Sequence, residues 1–413
     1  MDGFNRRHVL KAGGLLGAVG ALAVTSPARA QPWDWSPEGS VAGSGPGADP
    51  MGVWDPESDR LVASVLDRGD APRVNDLLKT WTKNSQPLPA GLPADVRDFV
   101  ESARQLPPWT DRAKLAAAVE FNEKRGTYLG ILYAMASGMM STVIPKEARA
   151  VYYSKGGHDL KDRIAKTAKL GYDIGTPNAY APDGEMIVTC VKTRLAHSGV
   201  RHLLPSSPHW SYIADEDVPI SQHDMMVTWH SLSTTIMRNL TAWRVPIPTA
   251  ESEGYLHIWQ LCAHLLGIRD EYIPNSWTEA DAQATQVLDP VLAPTPEGVN
   301  LADRLLRLGA NLDLTLLSKP ILGAFTRFVL GDKIADWLAI PREPVWSPLL
   351  QVSWGPFIAV REGVLGAVPP AQEAYWLFDE FLRQFTLYYA AELRMPISIQ
   401  IPLMNRNMSE PPR

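Results

Sequence analysis

Apolar residues recur at spacings of three and four along most of this chain, the signature of amphipathic helices rather than strands. The pattern predicts helices over Thr110–Gly138, Asp159–Gly171, Gly184–Leu204, Ser221–Leu240, Thr249–Gly267, Thr278–Leu288, Leu301–Leu308 and Ala371–Leu393. Many start on Ser, Thr or Asp and several end near Gly or Pro. Ser221 followed by Asp224 reads as a capping box, and Gly267 as a C-terminal stop. The 35 prolines punctuate the connections, as at Pro205, Pro208, Pro246 and Pro290. Two-residue alternation is weak throughout, and Ile397–Leu403 comes nearest to a strand. There is no internal repeat. The expectation is an all-α chain.

The first residues stand apart from this pattern. Arg6-Arg7 precedes the uncharged stretch Ala12–Val24, and Pro27-Ala28-Arg29-Ala30 follows as a small-residue cleavage site. Residues 1–30 therefore read as a twin-arginine signal peptide, too short and too glycine-diluted for an anchor. That route carries folded proteins, commonly ones that already hold a cofactor, so the mature chain is expected to be secreted. Residues 31–110 are expected to form an irregular arm and helices packing on a core at 111–345. Residues 346–413 extend the same single large domain as further helices, and the tail from Asn405 to Arg413 is expected to fray.

One segment needs weighing as a membrane span. Thr127–Pro145 carries no charge, but Ser137, Ser141, Thr142 and several small residues dilute it. It reads better as a buried helix, and no stable membrane span is expected. Gly126, Gly130, Ala134 and Gly138 would let a second helix, or equally a flat cofactor ring, approach closely.

Composition narrows the partners. The chain is 45% hydrophobic and 20% charged with net charge −6, which argues against nucleic acid and anionic membrane surfaces. Its two cysteines, Cys190 and Cys262, are too few for a disulfide scaffold or a Cys-ligated cluster. No C-x-x-C-H occurs, so any haem would be held non-covalently.

Nine histidines can be weighed singly. His158 suits a cap and His209 a structured loop. The pairs His223/His230 and His257/His264, each two turns apart on a helix, are metal candidates against the commoner outcome of hydrogen-bonded helix histidines. The helix at 184–204 carries more. Cys190, Arg194, His197 and Arg201 fall on one stripe at spacings of four, three and four. Ala196 and Gly199 beside the histidine leave room for a planar group. An imidazole on iron, with guanidinium groups on propionate carboxylates, would suit a haem. A solvated basic face is the alternative, opposed by Met186, Ile187 and Val191 on the same helix. On the preceding helix, Arg163, Lys166 and Thr167 cluster within one turn, where lysines usually mean a solvated face. Glu147 sits at the end of the uncharged segment, where burial would raise its pKa and suit it to general-base work. A surface glutamate at a helix start is the alternative.

Lys192-Thr-Arg-Leu-Ala-His-Ser-Gly-Val-Arg-His202, with Arg163-Ile-Ala-Lys-Thr167 and Glu147 before it, resembles the latex clearing proteins, the rubber oxygenases, and the similarity runs along nearly the whole chain. The resemblance implies an all-α fold with a globin-like core holding one non-covalent haem b. It implies cleavage of the double bonds of cis-1,4-polyisoprene by dioxygen, giving oligo-isoprenoids with aldehyde and ketone ends. Carried over by position, His197 becomes the proximal iron ligand and Lys166 a distal ligand in a closed state. Glu147 becomes the distal base, while Arg163 and Thr167 shape the pocket. Arg194, Arg201 and His202 surround the proximal ligand. The uncharged helix and Pro396–Met404 would line an apolar substrate channel, and the chain would act as a monomer.

Two other classes remain. A secreted lipid- or terpenoid-binding helical protein would share the apolar helices without the His197 stripe or a Soret band. A hydrolase lacks support, since no G-x-S-x-G elbow is present. Absorbance separates the three.

Overall fold

The computed structural model describes residues 33–153, 160–207, 210, 218–310, 318–367, 373, 377, 379 and 397–403. The signal at 1–30, His158, His209, most of Ala371–Leu393 and the tail from Asn405 lie outside them.

The described residues are all-α. Their only ladder pairing is an isolated bridge between Ser40 and Pro274. In chain order the helices are α1 (Pro56–Asp67), α2 (Ala71–Lys79), α3 (Ala94–Ala103), α4 (Arg112–Leu132), α5 (Pro145–Tyr153), α6 (Leu160–Asp173), α7 (Met186–Leu203), α8 (Gln222–Ala242), α9 (Thr249–Leu265), α10 (Trp277–Val287), α11 (Pro296–Ala310), α12 (Lys319–Trp337) and α13 (Trp346–Ala367). Residues 33–55 form the expected irregular arm. It is fastened where the Trp35 indole donates to the Glu271 carbonyl at 2.8 Å and Val41 N to the Ile273 carbonyl at 2.9 Å.

The centre of the fold is α4 against α9. Asp111 caps α4, accepting from Ala113 N at 2.8 Å and Lys114 N at 3.2 Å. Close approach of the two helices rests on Gly254, where a Cβ would lie 2.6 Å from Ala118 N and 2.7 Å from Lys114 O. Phe121 and Tyr255 stack across the seam at 4.5 Å. The capping box at Ser221 and Asp224 starts α8, with Ser221 Oγ accepting from Asp224 N at 3.2 Å. Gly267 stops α9 at φ +90°, with Ile268 N reaching back to the Ala263 carbonyl at 3.0 Å, the reversal expected of a left-handed cap.

The uncharged segment departs from a single buried helix. After Leu132 the chain widens into a π-helical stretch, Tyr133–Gly138, tightens to a 3-10 turn at Ser141–Val143, and turns by 91° into α5. Among the described residues no single helix is long and apolar enough to cross a membrane; this bent pair passes only by length and composition. Tyr128, Leu129, Leu132, Ala136, Met139 and Val143 are buried in the core. A π-helical insertion displaces side chains from regular register, and such insertions concentrate at functional sites.

The bounds of helices α12 and α13 escaped the pattern reading for physical reasons, although helices were expected beyond residue 346. In α12 the chain kinks at Gly331, which adopts φ +82°. In α13 no charged residue occurs from Trp346 to Val360, so no polar face marks the period. Ile397–Leu403 forms no strand. Asn75 accepts from Ile401 N and donates to Ile401 O, both at 2.9 Å, and so straps this segment to α2.

Candidate active site

The site is organised by α7, whose buried residues include Met186, Ile187, Cys190, Val191 and Leu195. Cys190 faces Cys262 of α9, the two buried thiols lying 3.9 Å apart. Along the stripe, α1 meets α7 through a ladder of polar contacts. Arg194 forks onto Asp55 at 2.5 and 2.9 Å and lies over the Phe99 ring at 5.1 Å. Ser198 Oγ and Ser58 Oγ are 2.8 Å apart. Arg201 donates to Asp59 at 2.7 Å, to Ser198 at 2.9 Å and to the Ile220 carbonyl at 3.2 Å. Ile220 is a β-branched residue at φ +60°, a strained conformation held just ahead of α8. The His202 imidazole lies 3.3 Å from Asp67 at the end of α1, on the outer side.

These partners correct one expectation. Arg194 and Arg201 were expected to meet propionates; the carboxylates of Asp55 and Asp59 already account for both guanidinium groups. Gly199 likewise leaves no room for a planar group, because a Cβ there would lie 2.5 Å from Pro402 Cδ. The C-terminal strap fills that notch. Its Ile397 packs on Ala165 of α6, so the strap joins α2, α6 and α7 rather than lining a channel along its whole length.

His197 differs from its neighbours on the stripe. Its Nδ1 is buried with no hydrogen-bond partner. Burial, with the Arg201 and Arg163 charges, pulls its pKa down to about 3, while Asp55 acts in the opposite sense. The ring is therefore neutral across the physiological range, the form that binds a metal.

Glu147, in the first turn of α5, also carries a buried atom without a partner, Oε2. Burial and the neighbouring Asp224 raise its pKa to about 7, against the Arg163 charge and a hydrogen bond from Thr228. Burial also lowers the Arg163 pKa, against the pull of Glu147. Arg163 thus acts electrostatically on both the α5 carboxylate and the α7 imidazole.

Arg163 and Thr167, one turn apart on α6, are exposed, and Glu147 and His197 are part-exposed. Desolvation is nevertheless the largest influence on Glu147, Arg163 and His197 alike, so protein surrounds their polar ends. Lys166, between the two α6 residues, turns instead onto Asp162 at 2.6 Å. On α4 the small-residue face is filled at Gly126 by Asp379, whose Oδ2 would lie 2.6 Å from a Cβ, but nothing lies within 4 Å of one on Gly130.

His230, His257 and His264 are structural. His230 is fully buried between Thr234 and Gln283, each at 2.8 Å. His257 Nε2 accepts from Asp111 N at 2.9 Å, and His264 pairs with Asp270 at 2.6 Å. Among the described residues, no three of His, Cys, Asp and Glu converge as a metal site. The sequence reading missed Asp55, Ser58 and Asp59 as supports of α7, and Thr228 as the partner of Glu147. Asp224 was visible there only as a helix cap.

Comparison with known proteins gives the family. The profile of the family described as ER-bound oxygenase mpaB/B'/rubber oxygenase, catalytic domain, matches residues 125–361, which span α4 to α13. The chain is 53% identical to a rubber oxygenase of Streptomyces sp. (strain K30) over 408 residues, 98% of this chain and all of that one. It superposes on a latex clearing protein solved in the closed state with a TM-score of 0.80 at 52% identity, covering 89% of this chain and 99% of the other. With an all-α fold and this extent of likeness, the chain belongs to the rubber oxygenase family, the latex clearing proteins, and is an oxygenase.

Proposed function

We propose that the chain is a secreted haem b dioxygenase that cleaves the double bonds of cis-1,4-polyisoprene to oligo-isoprenoids with aldehyde and ketone ends. The observation that carries the cofactor is His197. A neutral imidazole with a buried, unpartnered nitrogen fits an iron whose other ligands would arrive with a macrocycle. The haem would be non-covalent, in a globin-like setting, anchored by His197 on the proximal side; when bound, it supplies the redox chemistry that activates dioxygen. Arg194, Arg201 and His202 support it indirectly, by fixing α7 on α1.

The chain's own residues then have separable tasks. Glu147, with a pKa near neutrality, would take a proton from the allylic carbon as oxygen adds to the alkene and return it as the carbonyl ends form, with no net proton change. Arg163 holds the Glu147 proton balance, and Thr167 stands one turn along α6 from it. Lys166 serves as a gate. Its pair with Asp162 is a part-exposed i, i+4 contact, worth only about 0.3–0.5 kcal/mol, so the amine exchanges readily between that carboxylate and the distal side. The polymer offers no polar handle and must be held by apolar burial alone. Export by the twin-arginine route and action as a monomer complete the reading.

Dioxygen uptake with dispersed polyisoprene, and carbonyl-ended oligomers among the products, are expected for the wild type. Glu147→Gln keeps the volume and removes the charge, so its turnover should fall about 100- to 10,000-fold at equal haem content. A wild-type chain that consumes no oxygen with the polymer would exclude the reading in favour of a terpenoid-binding protein.

A further inference from the structure

Helix α13 has an outer face of the wrong kind for an ordinary surface helix. Val345, Leu349, Val352, Pro356 and Val360 recur at spacings of four, three, four and four, which puts them on one stripe. Val345 is 65% exposed, Val352 70%, Val360 65% and Leu349 46%. At 1.5 Å per residue the stripe runs for about 22 Å. Surface helices normally turn charge outward, but none occurs from Trp346 to Val360, and the flanking Gln351 and Ser353 are neutral.

The exposure does not come from a loosely seated helix. On the inner face Trp354 meets Trp243, Phe325 and Phe328 at 4.9, 5.6 and 5.9 Å. Directly after Val360, buried Arg361 donates to the Lys124 carbonyl at 2.8 Å and lies 4.7 Å from the Tyr128 ring. The stripe is therefore a rigid apolar rail, anchored in the core on one side and bare on the other.

We infer that this face of α13 is where the enzyme adsorbs to the surface of its insoluble hydrocarbon substrate; the inference rests on the polyisoprene reading above. The charge pattern selects the occupant. Interfaces between proteins surround an apolar centre with a polar, hydrogen-bonding rim, and paired helices flank their seam with charges. Among the described residues this stripe has no flanking charge from Trp346 to Val360, and its polar neighbours Gln351 and Ser353 are neutral. An uncharged polymer has no group for such a rim to meet, and a rim would keep water between the two surfaces.

The test is the fraction of protein bound to polyisoprene latex particles, for wild type and for Val352→Glu/Val360→Glu. Both side chains are largely exposed, so the variant should keep the wild-type circular dichroism and thermal midpoint while its adsorption falls about tenfold or more. Val352→Ser/Val360→Ser is the neutral counterpart should the paired charges disturb folding. Met51→Glu, at an exposed residue of the N-terminal arm, should adsorb as wild type does. Unchanged adsorption of the α13 variants overturns the inference. So does a wild-type dimer that the variants split without losing adsorption, because the face would then belong to a second copy. A lowered thermal midpoint with unchanged adsorption also overturns it, assigning the face to the chain's own residues. Oxygen uptake by the wild type with a short isoprenoid held in detergent separates the two claims. If that is absent the polyisoprene reading fails, whereas if it is present with α13-independent adsorption only the inference fails.

Discussion

Asp55→Asn isolates what holds the imidazole-bearing helix in place. The Asp55 carboxylate is 4% exposed and takes two guanidinium contacts from Arg194 at 2.5 and 2.9 Å. It also caps α1 by accepting from Ser58 N at 3.4 Å, a role that asparagine can keep. The substitution thus removes charge and leaves the cap. Stranding one member of a buried pair costs about 3–5 kcal/mol. Two features soften this: Glu57 Oε2 lies 3.8 Å from Arg194, and the Phe99 ring stays beneath the guanidinium. A loss of about 2–3 kcal/mol is therefore expected. It should be read as a lower urea midpoint at constant slope, for the protein with its cofactor. Glu57→Gln, at a side chain 76% exposed, is the control and should change stability by at most about 0.5 kcal/mol. Since Asp55 favours the protonated ring of His197, its loss should also weaken the imidazole as a donor and raise the potential of a bound iron. An Asp55→Asn protein as stable as the Glu57→Gln control, with an unchanged potential, would refute the view that α1 holds the proximal side.

Further expectations follow from single contacts. Glu147 has a folded-state pKa of about 7 against an ordinary 4.5, so its base form appears only as pH rises through neutrality. The oxygenation rate should climb tenfold per unit below about pH 7 and level off above it, a limb that Glu147→Gln abolishes. Stability has the opposite sign: the fold favours the neutral carboxyl, a contribution fully present below about 4.5 and lost as pH rises through 7, visible as a smaller alkaline loss in Glu147→Gln. Gly254→Ala pushes a Cβ against α4 backbone atoms 2.6 and 2.7 Å away; overpacking of about 1–3 kcal/mol outweighs a helix-propensity gain below about 1 kcal/mol, so the unfolding midpoint should drop. Lys166→Ala should alter the resting absorption spectrum more than turnover, and a dead enzyme with an unaltered spectrum would make the lysine catalytic rather than a gate.

The chemistry was more legible than the packing around it. The spacing of Arg194, His197 and Arg201 put an imidazole between two guanidinium groups on one stripe, and Glu147 stood out as a carboxylate ending an uncharged run. Periodicity reports only that a stripe is buried, not against what. The two arginines therefore looked available for a cofactor, although α1 brings Asp55 and Asp59 to them across more than a hundred residues of chain. Small residues mislead in the same way. Gly126 and Gly199 signalled close approach correctly, but the approaching groups are Asp379 and Pro402, both distant in sequence. The bounds of helix α13 were invisible to a method that needs a polar face, because its outer face is apolar. The unusual surface and the missed bounds have one cause.

The central claim is tested most directly by the absorption spectrum of the purified protein beside that of His197→Ala. The account predicts a red protein with a Soret band, its pigment passing into acidic acetone as haem b. The His197→Ala protein should lose that haem while the exchanges His257→Ala and His264→Ala retain it, since the latter imidazoles serve Asp111 and Asp270. A His197→Ala protein replete with haem and fully active would contradict the account and move the iron's anchor elsewhere.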